Sequence, residues 1–207
     1  MTISRLTALA PLAALALGLV TMPAPARADA VVGQPAPALT LPDTKGQKHS
    51  LADLAGKTVV LEWLNHDCPF VRKHYESGSM QALQAKATAT GVVWLSVVSS
   101  APGKQGNFPP AQLDELTAAK NAKPTAVLLD PAGTAGKAYG ARTTPHMFIV
   151  DPKGTVVYAG AIDDTPSTDQ ADVKTARNHV AAALEELRAG KPVSVSSTTP
   201  YGCGVKY

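Results

Sequence analysis

The chain has 207 residues, of which 45% are hydrophobic and 17% are charged. This length and composition predict one globular domain with its own core, and they exclude an intrinsically disordered protein. The net charge of +3 comes from scattered basic residues, so the sequence offers no concentrated positive patch and we expect no nucleic-acid partner.

Residues 1–28 have the pattern of a signal peptide. Arg5 precedes an apolar run from Leu6 to Met22, and Ala26-Arg27-Ala28 is a small-x-small cleavage site. A membrane anchor is the alternative, but a run of about 17 residues is at the short limit for a spanning helix. We therefore expect export and cleavage, which would leave a periplasmic or secreted protein with no membrane attachment.

The first half of the mature chain is predicted to alternate strands with helices. In chain order we expect a short strand near 38–41, a turn at 43–46, a short helix near 51–54, a buried strand at 58–64, a helix from 69 to 88 that is interrupted at 77–79, and a buried strand at 92–98. The two longer strands are apolar on both faces, which is typical of central strands. Pro69 suits the first position of a helix, and Ser79 could cap the segment after the interruption.

The second half continues the pattern and ends without periodicity. We expect a short helix after residue 110, a strand at 125–129, a short helix at 133–139, a strand at 147–150, a turn at 151–154, a returning strand at 155–161, and an amphipathic helix at 178–189. Residues 191–207 look extended and weakly ordered. The order of elements predicts an α/β fold with a mixed central sheet flanked by helices.

Cys68 is the strongest candidate for a reactive residue. It follows a buried strand and precedes Pro69, so it should lie at the start of a helix. Unpaired N–H groups and the helix dipole favour a thiolate there, and the thiolate is the form that attacks disulfides and peroxides. His66 and Arg72 could add positive charge nearby. The alternative is a buried, inert cysteine.

A second signal is Thr143-Thr144-Pro145, which precedes the strand at 147–150. A proline at a strand entrance can hold a cis bond and a tight turn, although it can equally be a plain loop proline. This motif becomes informative about function because it follows Cys68 in the same chain.

These motifs resemble the redoxin branch of the thioredoxin superfamily, which includes the alkyl hydroperoxide reductase/thiol-specific antioxidant proteins, and within it a peroxiredoxin-like subgroup. The resemblance covers Val31 to Tyr207. It is carried by four segments: Gly33-Gln34-Pro35-Ala36-Pro37, Asn65-His66-Asp67-Cys68-Pro69-Phe70-Val71, Thr143-Thr144-Pro145-His146-Met147-Phe148, and Gly202-Cys203-Gly204-Val205-Lys206-Tyr207.

The resemblance implies a thioredoxin-like fold with an N-terminal redoxin extension. It implies a redoxin domain at 29–190 and an extended C-terminal tail at 191–207 that carries Cys203. It also implies active-site support from residues around the two motifs, namely Asn65, His66, Pro69, Thr144 and Pro145.

The sequence departs from both active-site patterns of these families. Val71 stands where the second cysteine of C-x-x-C would be. In the peroxiredoxin pattern P-x-x-x-T-x-x-C, Asn65 replaces the threonine and Leu61 replaces the proline, so the group that would orient a peroxide is missing. The resemblance therefore supports a redox cysteine more specifically than it supports a peroxidase.

The first functional hypothesis is a thiol-dependent oxidoreductase or antioxidant enzyme. Cys68 would be the nucleophile toward a protein disulfide or a small peroxide, and Cys203 would resolve the intermediate before an external thiol reductant regenerates the pair. The thirteen residues from Gly190 to Cys203 could span about 43 Å, so the tail can fold back to Cys68. No flavin, nicotinamide or metal motif is visible, and we expect no cofactor.

Two alternatives remain open. Cys68–Cys203 could be a permanent staple in a secreted binding module, since closing so long a loop is worth about 5 kcal/mol in the chain-entropy account. A metal (copper) delivery protein using His66 and Cys68, with His146 as a further ligand, is the other, but two or three ligands on separate loops make no recognisable metal spacing.

Overall fold

The computed structural model describes residues 29–207, so the predicted signal peptide lies outside the described residues. The strands are β1 (Thr40–Pro42), β2 (Lys48–Ser50), β3 (Val59–Trp63), β4 (Val93–Val98), β5 (Ala126–Leu129), β6 (Thr143–Thr144), β7 (His146–Val150), β8 (Val156–Gly160) and β9 (Cys203–Gly204). The α-helices are α1 (Pro69–Glu76), α2 (Ser79–Ala89), α3 (Pro110–Ala119), α4 (Thr134–Tyr139) and α5 (His179–Arg188). Short 3-10 helices cover Ala52–Leu54 and Gln170–Lys174.

The central sheet is mixed and has the strand order β5-β4-β3-β7-β8. Strands β5, β4 and β3 run parallel, whereas β7 is antiparallel to both β3 and β8. Every residue of β3 and β4 is buried, as the apolar runs in these segments predict. The sheet therefore confirms the predicted α/β class and places β3 at its centre.

Packed side chains cover both faces of the sheet. On one face, Val60, Trp94 and Met147 contact a cluster that includes residues of α1, α2 and α5. On the other face, Trp63 and Leu95 pack with α4 and the N-terminal extension. Both tryptophans and Met147 are fully buried in this core. No helix within 29–207 is long and apolar enough to cross a membrane.

The helix boundaries follow the expected local rules with one correction. Pro69 occupies the first turn of α1, and the Asn178 side chain caps α5 by accepting a 2.8 Å hydrogen bond from the Ala181 N–H. Ser79 was expected to cap α2, but the cap position is Gly78, whose φ of 79° suits glycine. Ser79 is instead the first residue of α2, and its hydroxyl donates to the His74 carbonyl.

The C-terminal tail (191–207) is extended, as predicted, but it is not loosely attached. The Ala159 N–H donates to the Ser196 carbonyl, and the Ala101 N–H donates to the Lys206 carbonyl at 2.7 Å. The Tyr207 hydroxyl donates to the Ala141 carbonyl. Contacts along its length therefore hold the tail, contrary to the expectation of weak order, and they include the unpredicted pairing of β9 with β6.

Candidate functional site

Cys68 lies at the end of the loop that connects the central strand β3 to helix α1. The Cys68 N–H donates to the Asn65 carbonyl at 3.0 Å, and the Cys68 carbonyl accepts the Arg72 N–H as the first turn of the helix closes. The side chain is completely buried, and its thiol donates to the Thr144 carbonyl at 2.9 Å. The sulfur does not cap the helix. In this state the helix start is adjacent to the thiol, but the proton is directed to Thr144.

Thr144 is the meeting point of three segments. The Thr144–Pro145 bond is cis, and β6 ends here just before β7 begins. Thr144 faces Cys203 in the antiparallel pairing of β6 with β9. A Cβ on Gly202 would collide with the Thr144 carbonyl oxygen, so glycine permits the tail to approach this closely. Thus one residue contacts both the Cys68 thiol and the strand that carries Cys203.

Cys203 has a different environment from Cys68. It is half-buried and packs at the margin of the core cluster that contains Cys68. Burial, and after it the neighbouring Cys68 thiol, raise the pKa of Cys203 to about 11. Both cysteines are free thiols in this structure. The arrangement therefore describes a reduced pair whose members already lie side by side.

The predicted supporting residues Asn65 and Pro69 have mainly local roles. The Asn65 side chain accepts from the Asp67 N–H at 3.0 Å and donates to the Gln105 carbonyl at 3.4 Å. Gly106 packs directly against this amide, where any Cβ would collide with it. Asn65 therefore shapes the loop before Cys68, while Pro69 begins the helix after it.

The expectation that His66 and Arg72 add positive charge near Cys68 is not met. Burial, followed by the charge of Lys120, lowers the pKa of His66 to about 4, so the ring is neutral at neutral pH. Both its nitrogens lack hydrogen-bond partners, and the ring packs against Tyr75. The Arg72 side chain is exposed and forms an ion pair with Glu76. His66 therefore supplies no cation at neutral pH, and the charge of Arg72 is paired with Glu76 at the surface.

A buried carboxyl group in β3, Glu62, was not identified from the sequence. It is fully buried and receives hydrogen bonds from four side chains, those of Tyr75, Gln84, Trp94 and Ser96. Burial raises the pKa of Glu62. The available signal was a single acidic residue inside the apolar run TVVLEWL, which cannot be buried without such partners.

A second polar cluster, which we call the tail anchor, joins α1 to the C-terminal tail. It consists of Lys73, His74, Asp163 and Tyr201. The Lys73 ammonium lies 3.2 Å from the Asp163 carboxylate, and both side chains are buried. The Tyr201 hydroxyl donates to the same carboxylate and lies 3.3 Å from the His74 ring. The anchor therefore fixes the tail two residues before Cys203.

The two histidines of the metal hypothesis have separate environments. The Nδ1 atom of His146 accepts the Arg142 N–H, and its ring stacks on Phe148. Among residues 29–207 no group of three His, Cys, Asp or Glu side chains is placed to hold a metal ion.

Comparison of the sequence with known protein families gives a match. The sequence profile described as the AhpC/TSA family matches residues 32–159. No curated protein matches the chain.

Solved structures share the fold at low identity. A hypothetical protein from Sinorhizobium meliloti is 23% identical with a TM-score of 0.71, over 86% of this chain and 94% of that chain. The thioredoxin domain of a thiol-disulfide oxidoreductase from Bacteroides vulgatus is 22% identical with a TM-score of 0.50, over 70% and 96%.

A protein described as a thiol:disulfide interchange protein DsbE, from Chlorobium tepidum, is 26% identical with a TM-score of 0.51, over 63% and 85%. Together these matches confirm the predicted thioredoxin-like fold.

Proposed function

Because this chain belongs to the AhpC/TSA family, we propose that it is a thiol redox protein that uses Cys68 and Cys203 as a cycling pair. The observation that carries the proposal is the shared contact at Thr144. The Thr144 carbonyl accepts a hydrogen bond from the Cys68 thiol, and Thr144 is paired with Cys203 in the antiparallel β6–β9 ladder. Two cysteines that lie far apart in sequence are thus adjacent without a preformed disulfide.

The reaction that suits this pair is thiol–disulfide exchange. The Cys68 thiolate attacks one sulfur of a substrate disulfide, forms a mixed disulfide and releases the other substrate sulfur as a thiolate. Cys203, once deprotonated, attacks the Cys68 sulfur and releases the second substrate thiolate. The substrate gains two electrons, and the protein is left with a Cys68–Cys203 disulfide. An external thiol reductant returns the pair to the reduced state.

Disulfide exchange is favoured over peroxide reduction by the contacts of Asn65. This residue stands where the peroxiredoxin pattern has threonine, and its amide is engaged with Asp67 and Gln105 of the surrounding loops. The similarity to the DsbE-described protein of Chlorobium tepidum supports the same choice. Peroxide reduction would instead pass through a sulfenic acid on Cys68.

A protein substrate can meet Cys68 only after the tail moves. The Cys68 side chain is completely buried, and Gly202 and Cys203 lie across the Thr144 carbonyl to which its thiol is bonded. We infer that separation of β9 from β6 precedes attack on a bulky disulfide. A small oxidant needs a smaller opening.

The test compares the reduced protein with Cys68→Ser and Cys203→Ser against a protein disulfide and against hydrogen peroxide. The parent protein should form an intramolecular disulfide with the protein substrate. Cys203→Ser should stop at a mixed disulfide on Cys68, and Cys68→Ser should form no adduct through position 68. Rapid oxidation by peroxide with little disulfide exchange would instead identify a peroxide reductase, and no reaction with either would refute the proposal.

We also propose that the protein is exported and that its mature form starts at Asp29 or Val31. The proposal rests on the charged start, short apolar run and small-x-small site in residues 1–28. An oxidising compartment would also suit a cycling cysteine pair. Mass spectrometry of the protein from the exported fraction should find one of these two starts. Recovery of an intact Met1 in the membrane fraction would refute export with cleavage.

A further inference from the structure

Three cationic residues from separate segments meet at the end of the tail. They are Lys104, Arg142 and Lys206, and we call them the basic rim. The Ala101 N–H donates to the Lys206 carbonyl at 2.7 Å, and the Lys104 N–H donates to the Ala101 carbonyl at 3.0 Å. The Val205 N–H donates to the Arg142 carbonyl, also at 3.0 Å. The fold therefore gathers beside β9 three positive charges that the sequence keeps apart.

The charges of the basic rim are available to a binding partner. Lys104 and Arg142 are exposed, and Lys206 is half-buried. Within residues 29–207, none of the three forms an ion pair. The rim also reaches the redox pair. Burial, and after it the Cys68 thiol, raise the pKa of Cys203 to about 11, whereas the charge of Lys206 acts to lower it. A molecule that approaches the cysteines therefore meets positive charge beside them.

The carboxylates in this part of the molecule have other partners. Asp130 is buried, and its carboxylate accepts hydrogen bonds from a serine hydroxyl and a backbone N–H. Asp29 lies against the backbone that follows α4. Asp67 lies on the α1 side of the site, where the Glu76 carboxylate, and after it Asp67, raises the pKa of Arg72. Positive charge therefore predominates on the β9 side of the redox pair.

We propose that the basic rim selects protein disulfides whose cysteines are flanked by Asp or Glu. This inference rests on the proposed function and names the substrate class of the same site. A chain that reaches Cys68 passes close to β9, because Thr144 contacts both the Cys68 thiol and Cys203. Positive potential there speeds the encounter with anionic segments and disfavours cationic ones. The Cys68 thiolate then bonds to one substrate sulfur, the substrate S–S bond breaks, and the other sulfur leaves as a thiolate with the electron pair of that bond.

The experiment compares three short disulfide-linked peptides in which the residues beside cysteine are Glu, Gln or Lys. The Cys203→Ser variant keeps the basic rim and should trap each peptide as a mixed disulfide on Cys68, which mass spectrometry follows over time. Because flanking charge also changes the intrinsic reactivity of a disulfide, each rate is divided by the rate of the same peptide with dithiothreitol. At low salt the normalised rate for the Glu peptide should exceed that for the Lys peptide about tenfold, with the Gln peptide between them. In about 1 M sodium chloride the ratio should fall toward one, because the screening length is then about 3 Å.

Two double variants, made in the same background, test whether the rim causes the preference. Lys104→Gln/Arg142→Gln removes two exposed charges of the rim and leaves the tail sequence unchanged. Lys57→Gln/Lys153→Gln is the matched control, because it removes two exposed charges at the other end of the sheet. There Lys57 precedes β3 and Lys153 follows β7, whereas Cys68 follows the opposite end of β3. The ratio of Glu to Lys peptide rates should fall several-fold in the rim variant and stay at the parent value in the control.

The outcomes separate this inference from the proposed function. Equal normalised rates for the Glu and Lys peptides, or equal ratios in the two double variants, would overturn selection by the basic rim. Such results would leave the cysteine pair as a working couple, since the peptides would still be trapped on Cys68. Absence of a mixed disulfide with all three peptides would instead refute the proposed function itself.

Discussion

The two cysteines of this protein are positioned by opposite means. Cys68 takes its place from its neighbours in sequence, because β3 ends, a short loop turns back on itself and Pro69 starts a helix. Cys203 has no such local frame, and contacts with β6 and with the tail anchor hold it in place. Cys68 is therefore positioned by the local chain, whereas Cys203 is positioned by noncovalent contacts of a separate C-terminal segment.

The same contrast appears in the polar groups behind each cysteine. On the Cys68 side, Glu62 is enclosed by side chains of β4, α1 and α2 that belong to the central core. On the Cys203 side, the tail anchor joins α1 to residues that follow β8 and to the tail itself. Loss of the second cluster should therefore release the tail without dismantling the sheet.

The largest effect is expected from Asp163→Asn, which breaks the tail anchor. It leaves the Lys73 ammonium buried without its charged partner, at 3.2 Å in the parent protein. Removing one member of a buried ion pair costs about 3–5 kcal/mol, so the free energy of unfolding should fall by this amount in urea titrations.

The matched control is Glu185→Gln, which removes a carboxylate from the exposed ion pair with Lys86. Because exposed pairs contribute little, its urea midpoint should stay close to that of the parent protein. Equal midpoints for Asp163→Asn and the control would mean that the tail anchor does not stabilise the fold.

The next effect is a pH dependence of the free energy of unfolding, which arises from His66 in the loop before Cys68. Burial lowers the pKa of His66 to about 4 from an ordinary 6.5, so the unfolded chain binds more protons between these values. Its contribution to stability is complete above pH 6.5 and is lost as the pH falls toward 4, by at most about 1.4 kcal/mol per pH unit. His74 and His146, whose pKa values burial also lowers to about 4, act in the same direction.

His66→Phe removes this contribution and two unpartnered ring nitrogens. Its unfolding free energy should depend less steeply on pH between 6.5 and 4 than that of the parent protein, while above pH 7 the two slopes should agree. Glu62 opposes the histidines in part of this range, because its raised pKa makes folding less favourable as the pH rises above 4.5. It does so equally in both proteins, and identical slopes throughout would contradict the account of His66.

The smallest effect is expected from Tyr201→Phe, which removes the hydroxyl that donates to Asp163 but keeps the ring against Phe70. The loss of stability should be about 1–2 kcal/mol, and iodoacetamide should alkylate Cys68 a few times faster because the tail opens more often. Tyr139→Phe loses a comparable hydroxyl bond, to the Pro37 carbonyl in the N-terminal extension, and leaves the tail anchor intact. If both variants changed the Cys68 alkylation rate equally, the tail would not be its cover.

Local patterns in the sequence were sufficient to predict the central strands of the sheet and the position of Cys68 at the start of a helix. The doubly apolar runs identified β3 and β4, and Pro69 identified the start of α1, because burial on both faces and a fixed proline φ are properties of short segments. The cysteine count, with the reach of the tail, also favoured proximity of Cys203 to Cys68.

The partners of the tail could not be predicted in the same way. The role of Tyr201 depends on Lys73 and Asp163, which lie on distant segments, and no periodicity in 191–207 specifies the pairing with β6. The charge state of His66 depended equally on its burial against Tyr75. These features arise only after the chain has folded, because each depends on residues that the local sequence does not bring together.

The reduction potential of the Cys68–Cys203 pair is the most direct test of whether the two cysteines form a working couple or a permanent link. A pair that cycles, with Cys203 half-buried on the tail and Cys68 at a helix start, should equilibrate with glutathione or dithiothreitol buffers at a potential above about −300 mV. Quantified peptide maps across such buffers give the value. A potential well below −300 mV would mark a structural disulfide, and it would contradict the cycling pair in favour of a stapled binding module.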